Sequence, residues 1–281
     1  MSNQSILNFS NKNIIELPPL STGKKIYFAS DFHLGAPNFQ ASQKREKRIV
    51  AWLNGIKPTA QALFLVGDIF DFWFEYKHTI PKGNTRLLGK LAEFVDEGIP
   101  VHLFCGNHDM WMFGYLEQEI GVQVHKDDFQ FSQNGKQFFV AHGDGLGPGD
   151  FKYKRLKKVF RHPLCQWLFA RLHPNFGVGL AQWSSRSSRK ANADEDSLYK
   201  GTENEYLYQY VQRKSKQISA NFFIFGHRHL PLRYNINQAI YLNLGEWINY
   251  ETFAQFDGEK LQLLSFKNNQ FEDYITIPEK Q

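Results

Sequence analysis

The sequence predicts a layered α/β fold in which metal-binding side chains gather at the ends of buried strands, and two observations support it. Five short apolar runs each lead directly into residues that bind metals through oxygen or imidazole nitrogen, and such runs are typical of strands buried on both faces. Apolar residues at helical spacing lie between the early runs, as parallel β-α-β crossovers require. Because sites form where the carboxyl ends of such strands converge, the five runs predict one shared site.

The N-terminal half follows this plan in order. Residues 1–23 are polar and lack the pattern of a signal peptide, so we expect a loosely ordered arm. The first strand is predicted at 24–30. Helices are predicted over 40–54 and 87–95, each followed by glycine and proline residues that end it. These helices would return the chain to the sheet between successive strands.

The second half departs from the plan, because about eighty residues separate His142 from the next ligand-bearing run. That is too long for a simple connection. We therefore expect an inserted helical cap over 150–215, while 24–149 and 216–281 form the core. Beyond the insertion, strands are predicted at 232–236, 240–244, 252–256, 261–266 and 274–277, with a hairpin signal at Asp257-Gly258.

The five apolar runs end in short polar motifs that supply the candidate ligands. In chain order the motifs are Asp31-Phe32-His33, Gly67-Asp68, Gly106-Asn107-His108-Asp109, His142-Gly143-Asp144 and Gly226-His227-Arg228-His229. The candidate metal ligands are Asp31, His33, Asp68, Asn107, His142, His227 and His229. Seven ligands are too many for one tetrahedral ion, whereas two ions that share Asp68 would use them all.

This donor set of oxygen and imidazole, without thiolate, suits divalent Mn, Fe, Zn or Mg, of which we favour Mn. A pair of such ions can activate a water and clamp the attacking and leaving oxygens of an in-line displacement at phosphorus. The motifs therefore predict a hydrolase that acts on a phosphate ester or anhydride.

Composition adds a charge argument. The chain has 281 residues, a net charge of +5 and a pI near 9.0, which favours an anionic partner. The stretch from Lys152 to Arg161 is densely basic and mixed with bulky apolar residues. The two cysteines lie far apart, and no run of about 18 apolar residues is present. We expect a cytoplasmic protein.

The spacing of these motifs resembles the calcineurin-like metallophosphoesterase family, whose five blocks occur here in the same order. The resemblance implies a four-layer αββα sandwich with an inserted helical cap. It assigns one ion to Asp31, His33, Asp68 and His229, and the other to Asp68, Asn107, His142 and His227. His108 would donate to the phosphate or leaving oxygen while Asp71 orients its ring. Asp109 and Asp144 would have supporting roles in the loops.

A closer resemblance is carried by the motifs 67–73, 142–146 and 244–247 and by Asp150, Tyr153 and Asn192. These residues resemble those of the subfamily of pyrophosphatases that act on UDP-2,3-diacylglucosamine in lipid A synthesis. This resemblance implies a UDP-linked acylated glucosamine as substrate, UMP and 2,3-diacylglucosamine 1-phosphate as products, and peripheral association with the inner-membrane surface. Nucleic acid is not an expected partner. The implied substrate contacts are Asn107, His108, Asp150, Tyr153, Ser188, Asn192 and His227.

Two positions depart from the best-known branch of that subfamily, which has Arg where His108 stands and Glu where Asp71 stands. Either pair joins a cationic donor to a carboxylate. Glu195 also lies near the place of an expected Lys. The alternative functions are a generic phosphodiesterase or nuclease of the same superfamily, or a silent binding scaffold. A scaffold would be expected to lack at least one of the seven ligands.

The predicted cap has two alternative interpretations. Its apolar residues either form only the core of a helical lid or bind acyl chains, with its basic residues at an anionic bilayer surface. Residues 187–190 are either a flexible turn or a phosphate contact. The other histidines are expected to be surface or packing residues, namely His78, His102, His125, His162 and His173.

Overall fold

The computed structural model describes residues 14–147, 151–197, 199 and 201–274, with side chains described for all of these except 152, 186 and 188–197. The strands are β1 (Ile15–Glu16), β2 (Lys25–Ala29), β3 (Ala60–Leu65), β4 (Val101–Phe104), β5 (Gln123–His125), β6 (Phe129–Gln133), β7 (Lys136–Ala141), β8 (Phe222–Phe225), β9 (Pro231–Ile236), β10 (Ala239–Leu244), β11 (Thr252–Phe256), β12 (Leu261–Lys267) and β13 (Gln270–Asp273). The α-helices are α1 (Phe39–Ile56), α2 (Thr85–Asp96), α3 (Phe151–Arg161), α4 (Pro163–Phe169), α5 (Pro174–Ser197) and α6 (Tyr206–Lys214).

The strands form two sheets. One has seven strands in the order β13-β12-β11-β2-β3-β4-β5, and β2 to β5 within it are parallel. The helices α1 and α2 return the chain between β2, β3 and β4, so the two predicted crossovers are confirmed. The other sheet has six strands in the order β1-β6-β7-β8-β10-β9, with β7, β8 and β10 parallel.

The side-chain alternation of a strand explains why the sheets stack into layers. In β2, Ile26 and Phe28 face the other sheet and contribute to the core between them. Tyr27 and Ala29 point the opposite way and belong to the core beneath α1 and α2. Both faces of the strand are therefore covered, as a continuous apolar run requires.

The fourth layer is α6, whose Leu207 and Val211 are buried against Phe223 and Phe225 of the six-stranded sheet. The αββα sandwich is thereby confirmed. Residues 206–214 were assigned from sequence to the insertion, but in the structure they cover the outer face of this sheet. The reason is physical, because without this helix the second face of an apolar strand such as β8 would be open to water.

The remaining inserted helices, α3, α4 and α5, are called the cap helices below. Phe160 and Phe169 pack on the indole of Trp111, and Trp111 Nε1 donates a hydrogen bond to the carbonyl of Phe160 at 2.8 Å. Other apolar side chains of the cap helices face solvent instead. They are Phe151, Leu156, Val159, Leu164, Trp167, Leu168, Phe176, Leu180 and Trp183.

Three short strands were not predicted, namely β1, β5 and β6, and one was misplaced. The last strand was expected at 274–277, whereas β13 spans Gln270–Asp273 and 275–277 lie outside the described residues. All four residues of β13 are exposed, so the strand carries no apolar run that a sequence pattern could detect. Of the expected N-terminal arm, Ile15–Glu16 pairs with β6, and 1–13 lie outside the described residues.

Candidate metal centre

All seven candidate ligands lie just beyond strand ends, and the fold brings them together in two groups that share Asp68. Loops after β2, β3, β4, β7 and β8 carry them. In the first group, ligand atoms of Asp31, His33, Asp68 and His229 all lie within 4.8 Å of one another. Asp68, His142 and His227 satisfy the same limit in the second. Asn107 joins them, because its Oδ1 lies 3.2 Å from His142 Nε2.

In the first group, two imidazoles face the same point. His33 Nε2 lies 3.1 Å from His229 Nε2, and His229 Nε2 lies 3.3 Å from Asp31 Oδ1. His33 Nε2 is also 3.9 Å from Asp68 Oδ2. Nitrogen and oxygen lone pairs that converge at these distances are the donors of a divalent transition metal.

In the second group, the orientation of His142 is set by the backbone. Its Nδ1 donates a hydrogen bond to the carbonyl of Val66 at 2.9 Å, which leaves Nε2 directed at Asp68 and Asn107. A second hydrogen bond of this kind is the usual support of a metal-binding imidazole. Loop 66–68 therefore both supplies one candidate ligand and aims another.

The buried charge in this centre matches bound cations. Asp68 Oδ2 is buried, yet it has no partner with hydrogen-bond geometry among the described residues. His142 Nε2 lies 3.4 Å from it. Burial lowers the pKa of His142, but the Asp68, Asp31 and Asp144 carboxylates outweigh it and raise the pKa to about 10. A site that draws a proton so strongly onto an imidazole carries excess negative charge. Two divalent ions fit it.

Three glycines make room for the ligands. A β-carbon on Gly67 would lie 2.5 Å from His142 Nδ1, and one on Gly226 would lie 2.4 Å from Asp31 Oδ2. On Gly106 it would lie 2.2 Å from Asp68 Oδ1. In the sequence, each of these glycines directly precedes a candidate ligand. The structure explains the glycine, because a different candidate ligand occupies the space where a β-carbon would lie.

The ligand loops are held in a strained conformation. Asp31, His33, Asp68, His227 and His229 have φ of 55°, 44°, 52°, 65° and 61°, which is the left-handed region. Such backbone persists only where its surroundings determine it, and it concentrates at functional sites. Here His33 N donates to the carbonyl of Asp68 at 2.9 Å, and Asp31 N donates to that of Gly67 at 3.0 Å. The two loops therefore support one another.

Asp109 ties the loop after β4 to the loop that carries Asp68. Its Oδ1 accepts from the N–H of Gly106 at 2.7 Å and from that of Asp68 at 3.3 Å. Its Oδ2 accepts from the N–H of Ile69 at 2.8 Å and from that of Phe70 at 3.2 Å. The carboxylate thus fixes the loop that presents Asp68, the supporting role expected from sequence.

Sequence reasoning missed two arginines that hold ligand loops. Arg45 on α1 donates to the carbonyls of Phe32 and His33, at 2.7 and 2.6 Å. Arg228 forms a buried ion pair with Glu205, in which Nε lies 3.0 Å from Oε2 and Nη2 lies 2.9 Å from Oε1. A bidentate pair of this kind fixes the loop between His227 and His229. No local pattern marks these partners, which are 12 to 23 residues apart in sequence.

His108 lies over the first group, with its ring centroid 5.0 Å from that of His33. The expected contact with Asp71 is not a direct bond between side chains, because His108 Nδ1 lies 3.9 Å from Asp71 Oδ1. The imidazole reaches Asp71 by two other routes. Nδ1 is 3.1 Å from the Asp71 carbonyl oxygen and 3.0 Å from Ser185 Oγ, and Ser185 Oγ donates to Asp71 Oδ1 at 2.9 Å. Ser185 was also missed from sequence.

Of the remaining expected substrate contacts, Asp150 lies outside the described residues, as do the side chains of Ser188 and Asn192 on α5. Tyr153 is placed beside the centre, where its hydroxyl donates to Asp144 Oδ2 at 2.6 Å. Lys157 Nζ lies 2.5 Å from the same oxygen. Asp144 thereby connects α3 to the loop that carries His142.

A groove of about 900 Å³ lies between α1, residues 79–84 and the start of α5. Leu34 and Asp71 line its inner end. Farther out it is lined by aromatic and carboxamide side chains, including Phe39, Asn84 and Asn175. Volumes of this order are typical of small-molecule sites.

The expected non-ligand histidines are placed as predicted. His78, His162 and His173 are exposed, and the ring of His102 is stacked on Phe64 within the sheet core, with a centroid distance of 4.3 Å. His102 Nδ1 lies 3.0 Å from His125 Nε2, so this pair forms a packed unit away from the centre.

Comparison with known proteins gives a consistent result. The sequence profile described as calcineurin-like phosphoesterase matches residues 24–231. The UDP-2,3-diacylglucosamine hydrolase of Porphyromonas gingivalis is 39% identical over 257 residues, which cover 87% of this chain and 98% of that protein. The protein of the same name from Edwardsiella ictaluri is 25% identical over 88% of this chain and 94% of its own. Among solved structures, the Escherichia coli phosphoesterase YfcE is 16% identical, with a TM-score of 0.44 and coverage of 90% of this chain and 100% of its own.

Proposed function

This chain belongs to the calcineurin-like phosphoesterase family, and from that premise we propose that it hydrolyses the pyrophosphate of UDP-2,3-diacylglucosamine to UMP and 2,3-diacylglucosamine 1-phosphate. The observation that supports this substrate is the similarity to the Porphyromonas gingivalis protein named UDP-2,3-diacylglucosamine hydrolase. The two sequences are 39% identical over 98% of that protein's length. The seven-residue centre, with all of its ligands brought together, supports the chemistry.

In this proposal, one divalent ion is held by Asp31, His33, Asp68 and His229, and the other by Asp68, Asn107, His142 and His227. Such ions, when bound, acidify a water and neutralise charge on the phosphate oxygens. We propose Mn as the native metal, with Fe, Zn or Mg as alternatives. The donor set, which is rich in imidazole, favours transition metals over Mg.

The chain's own residues orient the reaction. Water adds to the α-phosphorus, and the bond from that phosphorus to the bridging oxygen breaks, so UMP keeps the oxygen of the water. Nδ1 of His108 is occupied by the Asp71 carbonyl and Ser185, which leaves Nε2 for the phosphate or the leaving oxygen. When the ring carries both protons, it would present Nε2–H to that oxygen as a donor.

The cap helices support an amphiphilic substrate. On α5, Phe176, Leu180 and Trp183 are exposed, whereas Ser185 on another face is buried against Asp71. Helices of ordinary globular proteins place apolar side chains inward. On α3, Lys154, Lys157 and Arg161 are held by the core, whereas Arg155 and Lys158 are exposed. The exposed apolar residues of the cap helices and these two cations suit acyl chains and the anionic surface of a membrane. We propose that the protein binds peripherally at the cytoplasmic face of the inner membrane.

No described helix has both the length and the apolar character needed to cross a bilayer. Binding at the membrane surface would therefore rest on the cap helices. Ser188, Asn192 and Asp150 complete the proposed contacts with the glucosamine phosphate, and Tyr153 supports them through Asp144.

We propose that the groove beside Asp71 receives the nucleotide arm of the substrate. It includes Asp71 and is lined by an exposed aromatic ring, Phe39, and by carboxamides such as those of Asn84 and Asn175. A planar pyrimidine stacks on such rings and pairs with amide donors and acceptors. The acylated arm would then lie along the cap helices.

The test is release of UMP from UDP-2,3-diacylglucosamine by protein that has been stripped of metal and then supplied with Mn, Mg or Zn. UDP-N-acetylglucosamine is the unacylated control. We expect release from the lipid alone, and the largest rate with Mn. Equal rates on both substrates would remove the role of the acyl chains. Cleavage of bis(p-nitrophenyl) phosphate without any UMP release would leave a generic phosphodiesterase.

A further inference from the structure

Ser185 is the one described cap-helix residue that touches both members of the His108–Asp71 pair. It lies on α5, with only 9% of its surface exposed, and its Oγ is 2.9 Å from Asp71 Oδ1 and 3.0 Å from His108 Nδ1. A hydroxyl can donate one hydrogen bond and accept another at the same time. Ser185 can therefore donate to the carboxylate while it accepts from the imidazole.

This bridge closes a gap that the pair cannot close by itself. His108 Nδ1 and Asp71 Oδ1 are 3.9 Å apart, too far for a hydrogen bond. The Asp71 carbonyl, 3.1 Å from Nδ1, shares the one Nδ1–H with Ser185 Oγ, and a bond to this carbonyl does not involve the carboxylate. Among the side chains that the structure describes, the Ser185 hydroxyl connects them.

We propose that Ser185 is a positioning residue, which orients the His108 ring and makes that orientation depend on the docking of α5 against the core. This inference rests on the proposed role of His108 in phosphate hydrolysis. The consequence is that His108 is correctly aimed only when the cap helices are in place. The Ser185 hydroxyl would thus link substrate access, which the cap helices control, to the orientation of the His108 ring.

A second contact shows how closely α5 must approach for this to happen. A β-carbon on Gly177 would lie 2.6 Å from the hydroxyl oxygen of Tyr76 and 3.3 Å from Phe169 Cζ. The absence of a side chain at 177 lets the helix lie directly on the core two turns before Ser185.

The experiment compares Ser185→Ala and Ser185→Thr with wild type, and uses Ser184→Ala as the control at the neighbouring, exposed serine. Loss of one hydrogen bond to a positioned group corresponds to about a five- to tenfold change in rate. We expect Ser185→Ala to lower kcat by about that factor with little change in KM. Ser185→Thr should restore most of kcat, because it keeps the hydroxyl. Gly177→Ala should reproduce the loss. Gly89→Ala on α2, where a β-carbon would meet nothing within 4 Å among the described residues, should not.

A readout that does not depend on turnover is the ring of His108 in ¹⁵N-histidine-labelled protein loaded with Zn. The Nδ1–H proton of wild type should be visible and shifted downfield, because it is held by the Asp71 carbonyl and Ser185 Oγ. Its signal is assigned by its loss in His108→Asn. It should move or broaden in Ser185→Ala and in Gly177→Ala, but not in Ser184→Ala.

The outcomes separate this inference from the substrate proposal. If wild type releases no UMP, the kinetic comparison is made on bis(p-nitrophenyl) phosphate, and the NMR comparison is unchanged. An unchanged kcat together with an unchanged His108 signal in Ser185→Ala would overturn the positioning role. Loss of kcat in Ser185→Ala that Ser185→Thr does not restore would also overturn it, since the hydroxyl would then not be the cause.

Discussion

Asp68 Oδ1 occupies the space beside Gly106, where a β-carbon would lie only 2.2 Å from it and 2.5 Å from the Asp68 backbone nitrogen. The carboxylate that the two groups of ligands share is therefore pressed against the backbone of the loop that carries Asn107. The same oxygen accepts from the N–H of His108 at 2.8 Å. The loop and the carboxylate therefore hold each other in place, and this packing requires glycine at position 106.

Gly106→Ala should therefore disrupt the centre. No flexible side-chain end is available to give way, because the close atoms include the backbone of Asp68. We expect the variant to lose at least one bound metal per chain, measured by elemental analysis after dialysis, together with most of its activity. Gly89→Ala on α2 is the control, since its β-carbon meets nothing within 4 Å in the described structure. It should keep full activity and gain about 0.5 kcal/mol of stability.

Asp68→Asn should remove most activity by weakening both metal sites. The neutral amide cannot balance two divalent charges, and it presents one oxygen where the carboxylate presents two. Isothermal titration of metal-stripped protein with Mn should show weaker binding in the variant than in wild type. A variant that binds two ions with unchanged affinity and turns over at the wild-type rate would contradict the bridging role.

His108→Ala should impair turnover while both metals remain bound. The side chain is expected to act as a donor, and a lost general acid or donor costs about 10²-fold in rate. Metal content and kcat should be measured on the same sample. Simultaneous loss of metal would mean that His108 is a ligand and not a donor.

The His102–His125 pair should make the protein sensitive to acid. Burial lowers the pKa of His102 to about 3, with repulsion from His125 adding to it, and burial lowers that of His125 to about 4. Both values lie below the ordinary histidine pKa of 6.5. The unfolded chain therefore binds more protons below that pH, and the stability present above it is lost as the pH falls toward 4.

Urea denaturation of metal-stripped protein at pH 7 and pH 5 measures this effect. His102→Phe keeps a planar ring against Phe64 and removes one titrating group. We expect the loss of unfolding free energy between the two pH values to be about 1 to 2 kcal/mol smaller in the variant than in wild type. His78→Phe is the exposed control and should leave the loss unchanged.

The sequence alone predicted the parts of the molecule that local patterns encode. The apolar runs located strands β2, β3, β4, β7 and β8, the helical spacing located α1 and α2, and the motif after each run supplied a candidate ligand. A strand buried on both faces leaves a continuous apolar signature, and a ligand loop at its end leaves a polar one. Both signals are short in sequence, so they can be read without the fold.

Other parts could not be read in this way. The pattern of α6 did not distinguish a cap helix from a core layer, because an amphipathic helix looks the same whichever surface it covers. Phe160 and Phe169 pack inward, whereas Phe151 and Trp167 face solvent, although all four are bulky apolar residues in one stretch. Only the packing partner separates them.

The sequence by itself determined which residues have the chemistry to bind metal and which strands deliver them. Only the tertiary structure decided how those residues are held, since Arg45, Glu205–Arg228 and Ser185 act across the fold. Ser185 lies 77 residues from His108 and 114 from Asp71. A hydrogen bond depends on distance in space and orientation, and two segments so far apart in the chain carry no periodic signal of their meeting.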